Sequence, residues 1–348
     1  MLVLSNPPHI KTKDSITVVM WTVIAALSPA MCYSIYTFGG RALLLYIAGI
    51  IGAVSSEAAI RFFFRKNITV KDGSAVLTGI LIAMNVPPAA PIWMVVIGSA
   101  FAIIIVKQLF GGLGYNIFNP ALAARAFLMA SWPVHMTTGW HKFANGSSLS
   151  GSINEFAGMS KNAFDTISQA TPLMALKEVP RLAQDLGVSP NAINNMLFSN
   201  DLLGSLFIGN VGGVIGETSA LFLIIGGLFL IVRKIISWHI PAAFIGTLAI
   251  LSYIYYFSTG DITPIRGTLF QVLSGGVMLG AFFMATDMVT SPITGMGMLI
   301  FGMGCAVITF VIRIWGGYPE GVSYSILLMN AFVPLIDKFI KPHVFGVK

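Results

Sequence analysis

Charge is what this sequence lacks most. Only 9% of its 348 residues are Asp, Glu, Lys or Arg, against about a quarter in an average soluble chain. So few charges cannot solvate a water-soluble domain of this length. Cysteine is scarce too. Cys32 and Cys305 both sit inside apolar runs, which argues against a disulfide framework. Two thiolates cannot hold an ordinary four-thiolate iron–sulfur cluster within one chain. They read as small buried hydrophobes, with shared ligation or a redox role as the alternatives. The histidines His9, His135, His141, His239 and His343 show no ligand spacing, so no metal site is expected. No catalytic triad is visible and no residue is assigned a catalytic role. Gly111-Gly112-Leu113-Gly114 lacks the Lys-Ser/Thr that would follow in a phosphate loop, so it reads as a tight turn.

Apolar residues take the place of the missing charge. They make up 56% of the chain, and the mean hydropathy is +0.84. Several runs reach the roughly 18 residues that suggest a membrane helix. The pattern predicts an all-α polytopic membrane protein with ten segments, near 16–38, 41–64, 74–85, 91–110, 120–132, 217–234, 239–257, 269–286, 296–314 and 322–340. The chain then divides into an N-terminus (1–15), a five-helix set (16–132), a polar loop (133–216), a second five-helix set (217–340) and a tail (341–348). The first apolar run lacks a small-residue cleavage site and reads as a retained helix.

The net charge of +7 fits a lipid bilayer better than nucleic acid, because no basic stripe with interleaved aromatics is present. Lys11, Lys13, Arg61, Arg65, Lys66, Lys71, Lys107, Arg233, Lys234, Lys338, Lys341 and Lys348 fall on one side of the predicted topology. The positive-inside bias therefore predicts both termini in the cytoplasm and the 133–216 loop outside.

The two halves look alike. Phe110-Gly111-Gly112 matches Trp315-Gly316-Gly317, and Ala126-Phe127 falls on Ala331-Phe332 at the same offset. Val76 and Gly79 pair with Val277 and Gly280 at a slightly different one. Five spans per half is an odd number, so the halves must insert in opposite senses, the inverted-repeat plan of many transporters. The third segment of each half is short and interrupted: 73–79 closes at Asn85-Val86-Pro87-Pro88, and 274–280 closes at Thr286-Asp287. Paired broken segments point to a midplane pocket; the alternative is close helix packing through glycine.

A few polar residues could carry chemistry. Thr171 precedes Pro172, which pushes it toward extended backbone. Its hydroxyl in an exposed loop could enter a modifying enzyme, or it could cap a helix whose first residue is proline. Asn116 and Asn119 flank a helix start, and Asn119 could serve as cap, as site, or as both. Arg125 lies inside a predicted span, where a cation is expensive and usually functional. It could meet an anion, pair with a carboxylate or snorkel. Glu57 raises the same question in the second segment. Asp287 follows a broken segment and is a pocket candidate; Asp72 is its loose counterpart, explained nearly as well as a cap.

Five stretches carry a family resemblance over nearly the whole length. They are Ser5-Asn6-Pro7-Pro8-His9, the run from Lys107 through Gly114 to Asn116-Ile117-Phe118-Asn119-Pro120-Ala121, Ser168-Gln169-Ala170-Thr171-Pro172-Leu173, Thr286-Asp287-Met288-Val289-Thr290 and Gly316-Gly317-Tyr318-Pro319-Glu320-Gly321. The chain resembles the RnfD/NqrB family, and its RnfD branch more than the quinone-reducing branch, whose long N-terminal extension is missing. The resemblance implies a fold like that of urea transporters. It implies FMN joined through its phosphate to Thr171, within a pattern that here keeps Asp165, Ser168 and Ala170 but has Gln169 where glycine is commonest. It also implies a non-covalent riboflavin in the core, for which Asn116, Asn119, Arg125 and Asp287 are the candidates, since Asn amides match the donor/acceptor edge of an isoalloxazine ring.

The implied activity is electron transfer between ferredoxin and NAD coupled to Na+ or H+ movement, in a bacterial or archaeal cytoplasmic membrane. The implied partners are other Rnf subunits, including a second FMN-bearing subunit and iron–sulfur subunits, and a flavin transferase during maturation. A subunit of a Na+-pumping NADH:quinone reductase and a flavin-free channel or solute transporter of the same fold are the alternatives.

Overall fold

The computed structural model describes residues 15–65, 70–137, 171–177, 194, 197–209, 211–217, 219–260, 262–318 and 320–341. Asp165, Ser168, Gln169 and Ala170 lie outside the described residues, as does Ser5-Asn6-Pro7-Pro8-His9.

Among the described residues all regular structure is helical. The first half contains α1 (Ile16–Phe38), α2 (Gly40–Phe63), α3 (Ser74–Met84), α4 (Ile92–Phe101) and α5 (Pro120–Ser131). A π-helical stretch, Ala102–Gln108, continues α4. Short helices α6 (Pro133–Thr137) and α7 (Asn200–Ile208) border the second half. That half contains α8 (Ala220–Val232), α9 (His239–Thr259), α10 (Pro264–Leu273), α11 (Val277–Leu279) with a π-helical continuation over Gly280–Met284, α12 (Gly295–Trp315) and α13 (Val322–Phe339).

Five helices, α1, α2, α9, α12 and α13, are long and apolar enough to cross a membrane, and α10 with α11 forms one further candidate span bent by 60°. The chain is a multi-pass, all-α membrane protein. Many of its helices put large apolar side chains outward and bring glycine and alanine to their contacts with neighbouring helices. On α2, Leu44, Ile47 and Ile51 are exposed while Ala42, Ala48, Gly49, Gly52 and Ala53 are buried. Small residues let backbones approach where lipid supplies no hydrophobic drive between helices.

Some expected segments are not full spans. α5 has 12 residues and α8 has 13, which gives lengths of about 18 and 20 Å at 1.5 Å per residue. A hydrocarbon core of about 30 Å is longer than either. α5 can start deep in the bundle because its cap is buried. Asn119 is 3% exposed, and its Oδ1 accepts from Ala121 N at 3.0 Å and Leu122 N at 3.3 Å. An irregular helix start is tolerated at depth when protein satisfies its backbone.

The packing of the two halves is matched. Gly52 lies against Val96 and Ser99, and Glu57 meets Lys107, so α2 and α4 run parallel. Gly302 lies against Ile240 and Phe244, and Phe310 packs on Tyr255, so α9 and α12 run parallel as well. Each half then holds one broken segment. α3 has 11 residues and is about 16 Å long, half a membrane. Its tip meets the tip of the other: Asn85 Nδ2 is 3.8 Å from Met284 Sδ. The 211–217 segment reaches the same place, where Ile215 N donates to Val86 O at 3.2 Å and Gly216 packs on Met84 and Leu279.

α3 reaches that position by a glycine contact. A Cβ on Gly49 would stand 2.5 Å from the carbonyl oxygen of Gly79, so neither glycine can gain a side chain without forcing α2 and α3 apart. Overpacking of this kind typically costs about 1–3 kcal/mol, occasionally more. Gly79→Leu is expected to lower the melting temperature of the purified protein by several degrees or to abolish its accumulation in the membrane, whereas Gly246→Leu, at a position with open space around it, leaves both unchanged.

Candidate cavities and the polar layer between them

The larger cavity has an empty volume of about 790 Å³ including its open mouth, in the range of small-molecule sites. Val19, Leu77, Phe282 and Phe283 give it apolar walls, while Ser74, Lys107, Asn116, Asn119, Thr286 and Asp287 supply polar groups. Asn116 Nδ2 donates to Phe118 O at 3.2 Å, but its buried Oδ1 has no hydrogen-bond partner. A buried acceptor left unmade is costly, and a ligand N–H or O–H would satisfy it. Asn119 is both cap and wall: its Nδ2 donates to Met284 O at 3.1 Å. Asp287 accepts from Thr290 Oγ1 at 3.2 Å and from Val289 N at 3.5 Å.

Beside this cavity lies a charge cluster. Glu57 is fully buried and Lys107 is 2% exposed. Lys107 Nζ donates to both Glu57 oxygens at 3.1 Å and to Ser74 Oγ at 2.7 Å. Gln108 Nε2 donates to Glu57 Oε1 at 3.0 Å, and Arg61 lies 3.5 Å from it. The π-helical turn explains why adjacent residues Lys107 and Gln108 reach one carboxylate: Leu109 N bonds back to Ile104 O and Gly112 N to Lys107 O, each five residues away. Such turns are frequent at functional sites. Asp72 takes the cap role, accepting from Ser74 N at 2.8 Å and Ser74 Oγ at 2.6 Å.

Two smaller cavities share Thr171 and Glu320. One, of about 350 Å³, is lined by Thr171, Glu217, Ser274 and Gly275 among others; the other, of about 490 Å³, by Thr171, Arg125, Tyr318 and Tyr324. Thr171 differs from the expected exposed hydroxyl. It is 5% exposed, and its Oγ1 accepts from Met174 N at 3.3 Å, capping the helix at 172–177. The cap bond uses an oxygen lone pair and leaves the O–H outside it. Lys177, at the other end of that helix, donates to Ile312 O at 3.2 Å, to Gly316 O and to Tyr318 O at 2.5 Å. It thereby caps the carboxyl end of α12, where a cation is favourable. Burial, and then the Arg313 guanidinium, hold the Lys177 ammonium below the usual lysine range.

Arg125 belongs with these cavities and not with Asn116, Asn119 and Asp287, with which the sequence groups it. Its Nη1 donates to Asn85 Oδ1 at 2.8 Å, its Nη2 pairs with Glu320, and Glu217 stands 4.0 Å away. The reason is its position six residues, nearly two turns, beyond Asn119 on α5, past the tip of α3. Arg313 directs its donors to Ser274 O at 2.9 Å, Gly275 O at 3.1 Å, Glu320 O at 2.9 Å and Gln271. Asn85, Met284 and Asn119, with Arg125, form the layer that separates the Thr171 cavities from the large one.

Sequence reasoning passes over Lys107 and Arg313, although they fall near the ends of the predicted segments 91–110 and 296–314, and over Glu217, Glu320 and Lys177. A signal exists for the first two: each is a cation near the end of a long apolar run, Lys107 four residues before Gly111-Gly112 and Arg313 three before Gly316-Gly317. Among the described residues, no group of three or more His, Cys, Asp or Glu is placed to hold a metal ion.

These features define a class: a helical membrane protein of the broken-helix type, with two half-membrane segments meeting tip to tip and cavities on either side of their junction. Residues 3–346 match the model of the NQR2, RnfD, RnfE family, and the chain belongs to that family. It is 46% identical over 346 residues to the D-type subunit of the Na(+)-translocating ferredoxin:NAD(+) oxidoreductase complex of Acetobacterium woodii, covering 99% of this chain and 96% of that one. It is 44% identical over 347 residues to the D-type subunit of the proton-translocating ferredoxin:NAD(+) oxidoreductase complex of Clostridium ljungdahlii, with coverages of 99% and 96%. With the D-type subunit of an ion-translocating oxidoreductase complex of Stutzerimonas stutzeri it shares 40% identity over 342 residues, covering 96% and 93%.

Removing one partner of a buried ion pair strands the other, at a cost of about 3–5 kcal/mol. Lys107→Met is therefore expected to destabilise the protein strongly by leaving Glu57 underpaired, and the double variant with Glu57→Gln to recover part of the loss. Melting temperatures of the two single variants and the double variant measure this coupling; strict additivity would show that the pair does not act as a unit.

Proposed function

We propose that this chain is the D-type membrane subunit of an ion-translocating ferredoxin:NAD+ oxidoreductase complex, with FMN esterified to Thr171 and riboflavin in the large cavity. The observation that carries the reading is the pair of separated polar cavities, one kind beside Thr171 and the other beside Asn116. The names of the relatives from Acetobacterium woodii and Clostridium ljungdahlii support the complex and its coupling to cation movement.

The residues present fit both groups. Asn116 Oδ1 is a buried acceptor without a partner, suited to a ring N–H, and Asn119 and Asp287 line the same cavity. Thr171 Oγ1 opens on cavities that also present Arg125, Tyr318 and Tyr324, a cation for phosphate or reduced-ring charge and aromatic faces for a ring. Bound flavins would supply one- and two-electron chemistry. The chain's own residues do the rest. The 172–177 helix, fastened by Lys177, fixes where the Thr171 hydroxyl stands. Asn119 and Asn116 set hydrogen-bonding direction in the large cavity. The Asn85–Met284 junction keeps the two compartments apart.

The same reading takes the two halves as inverted repeats of a urea-transporter-like fold, a relation supported by their matched parallel pairs and broken segments. Both termini then lie in the cytoplasm, as the positive-inside bias indicates, and Thr171 lies toward the outer side. The partners are the other subunits of the complex, iron–sulfur and FMN-bearing ones among them, and a flavin transferase during maturation. Asp165, Ser168 and Ala170 complete the attachment pattern.

Two measurements test the reading. The peptide containing Thr171 is expected to carry the added mass of an FMN phosphoester, and Thr171→Ala to lose in-gel flavin fluorescence. Non-covalent flavin, extracted after denaturation, is expected to persist in Thr171→Ala and to fall in Asn116→Ala. A colourless purified protein would instead favour a flavin-free channel.

A further inference from the structure

The carboxyl groups of Glu217 and Glu320 form a pair that the flavin reading leaves unused. The Glu217 side chain is 9% exposed, and its Oε1 has no hydrogen-bond partner although it lines a cavity with Thr171. Its carboxyl packs against Gly276 at the amino end of α11 and against Gly213 on its own segment. The nearest cation is Arg125, at 4.0 Å, beyond hydrogen-bonding distance. Arg125 is already engaged, with Nη1 on Asn85 and Nη2 on Glu320. Arg313, the other cation facing Glu217, is held by the oxygens of Gln271, Ser274, Gly275 and Glu320. From the remaining described elements, Tyr318 and Tyr324 face Glu320, Tyr256 and Lys177 face Arg313, and Thr171 adjoins both carboxyls.

Glu217 and Glu320 line one cavity and flank the same guanidinium, that of Arg125. Two ionised carboxylates are acceptors only and repel each other, so a buried pair that shares one cation is relieved when one of them carries a proton. The Arg125 pair marks Glu320 as the ionised partner. We propose that Glu217 is a proton-binding site: its carboxyl carries a proton, donates it to Glu320, and exchanges it with the Thr171 cavity. This does not depend on any flavin being present.

The site has a consequence for the midplane layer. With the proton bound, Glu217 is neutral and Arg125 holds Asn85 and Glu320. When the proton leaves for water, Glu217 becomes a second anion that competes for Arg125. The guanidinium is then drawn toward Glu217, and its bond to Asn85 at the tip of α3 is the one it can give up. Proton occupancy on one side of the layer thus controls a contact within it.

The test uses the purified full-length chain in lipid, with infrared difference spectra recorded across pH. The wild type is expected to show a neutral-carboxyl C=O band at neutral pH that disappears at alkaline pH. Glu217→Gln is expected to lose the band yet keep the wild-type melting temperature at neutral pH, because an amide mimics the neutral acid. Glu320→Gln frees Arg125 for Glu217, which should then ionise, so the band is expected to be lost there as well. Superimposable wild-type and Glu217→Gln spectra would overturn the proposal, as would a full band in Glu320→Gln. A large drop in the melting temperature of Glu217→Gln would also overturn it, since that result means Glu217 acts as an ionised partner of Arg125. None of these readings changes if the Thr171 peptide proves unmodified.

Discussion

Two buried cations hold the broken segments of this protein in place. Lys107 and Arg313 each stand near the end of the fourth helix of their half, and each directs donors to the start of the half-membrane segment of that half. Lys107 reaches Ser74; Arg313 reaches the carbonyls of Ser274 and Gly275. In hydrocarbon an unmet backbone polar group costs several kcal/mol; Arg313 meets two carbonyls just before α11, while at the start of α3 Lys107 meets the Ser74 hydroxyl and Asp72 accepts from the Ser74 N–H. The cations need partners in turn. Lys107 has the Glu57 carboxylate, whereas Arg313 relies on carbonyl oxygens, with Glu217 and Glu320 as its nearby acids.

That difference makes the two ends of the molecule chemically unlike despite their similar helix packing. At the Lys107 end the charge is closed: an anion, its cations and an amide are mutually bonded, and the adjoining cavity presents hydroxyls and amides. At the Arg313 end a carboxyl oxygen is left over. The layer between them is thin, a few side chains and one methionine carbonyl, because α3 and α11 stop where they meet. Thin separation with unlike polarity on its two faces suits a protein that passes charge without passing solvent.

The spans are legible in the sequence because lipid imposes one rule, long apolar runs, and α1, α2, α9, α12 and α13 obey it. The broken segments are legible through glycine and proline near residues 73–88 and 274–292. Asn119 is readable as a cap because Asn-Pro is a strong helix start. The depth of each element is not. Whether a helix of 12 residues crosses or stops halfway depends on whether its end finds partners from distant parts of the chain, and Met284 lies 165 residues from Asn119. For the same reason the sequence marks Arg125 as costly but does not assign its carboxylates: Glu217 and Glu320 stand 92 and 195 residues further along the chain, beside the starts of other helices. Thr171 reads as exposed because polar loops usually are, and only tertiary packing of the 172–177 helix buries it.

Burial of Thr171 orders events in time. A hydroxyl that is 5% exposed cannot enter the active site of another protein, so any enzyme that modifies it must act while the 171–177 segment is undocked. The three carbonyls gripping Lys177 fasten the docked segment, so access to the hydroxyl is governed by docking of residues 171–177 and not by the chemistry of Thr171 itself.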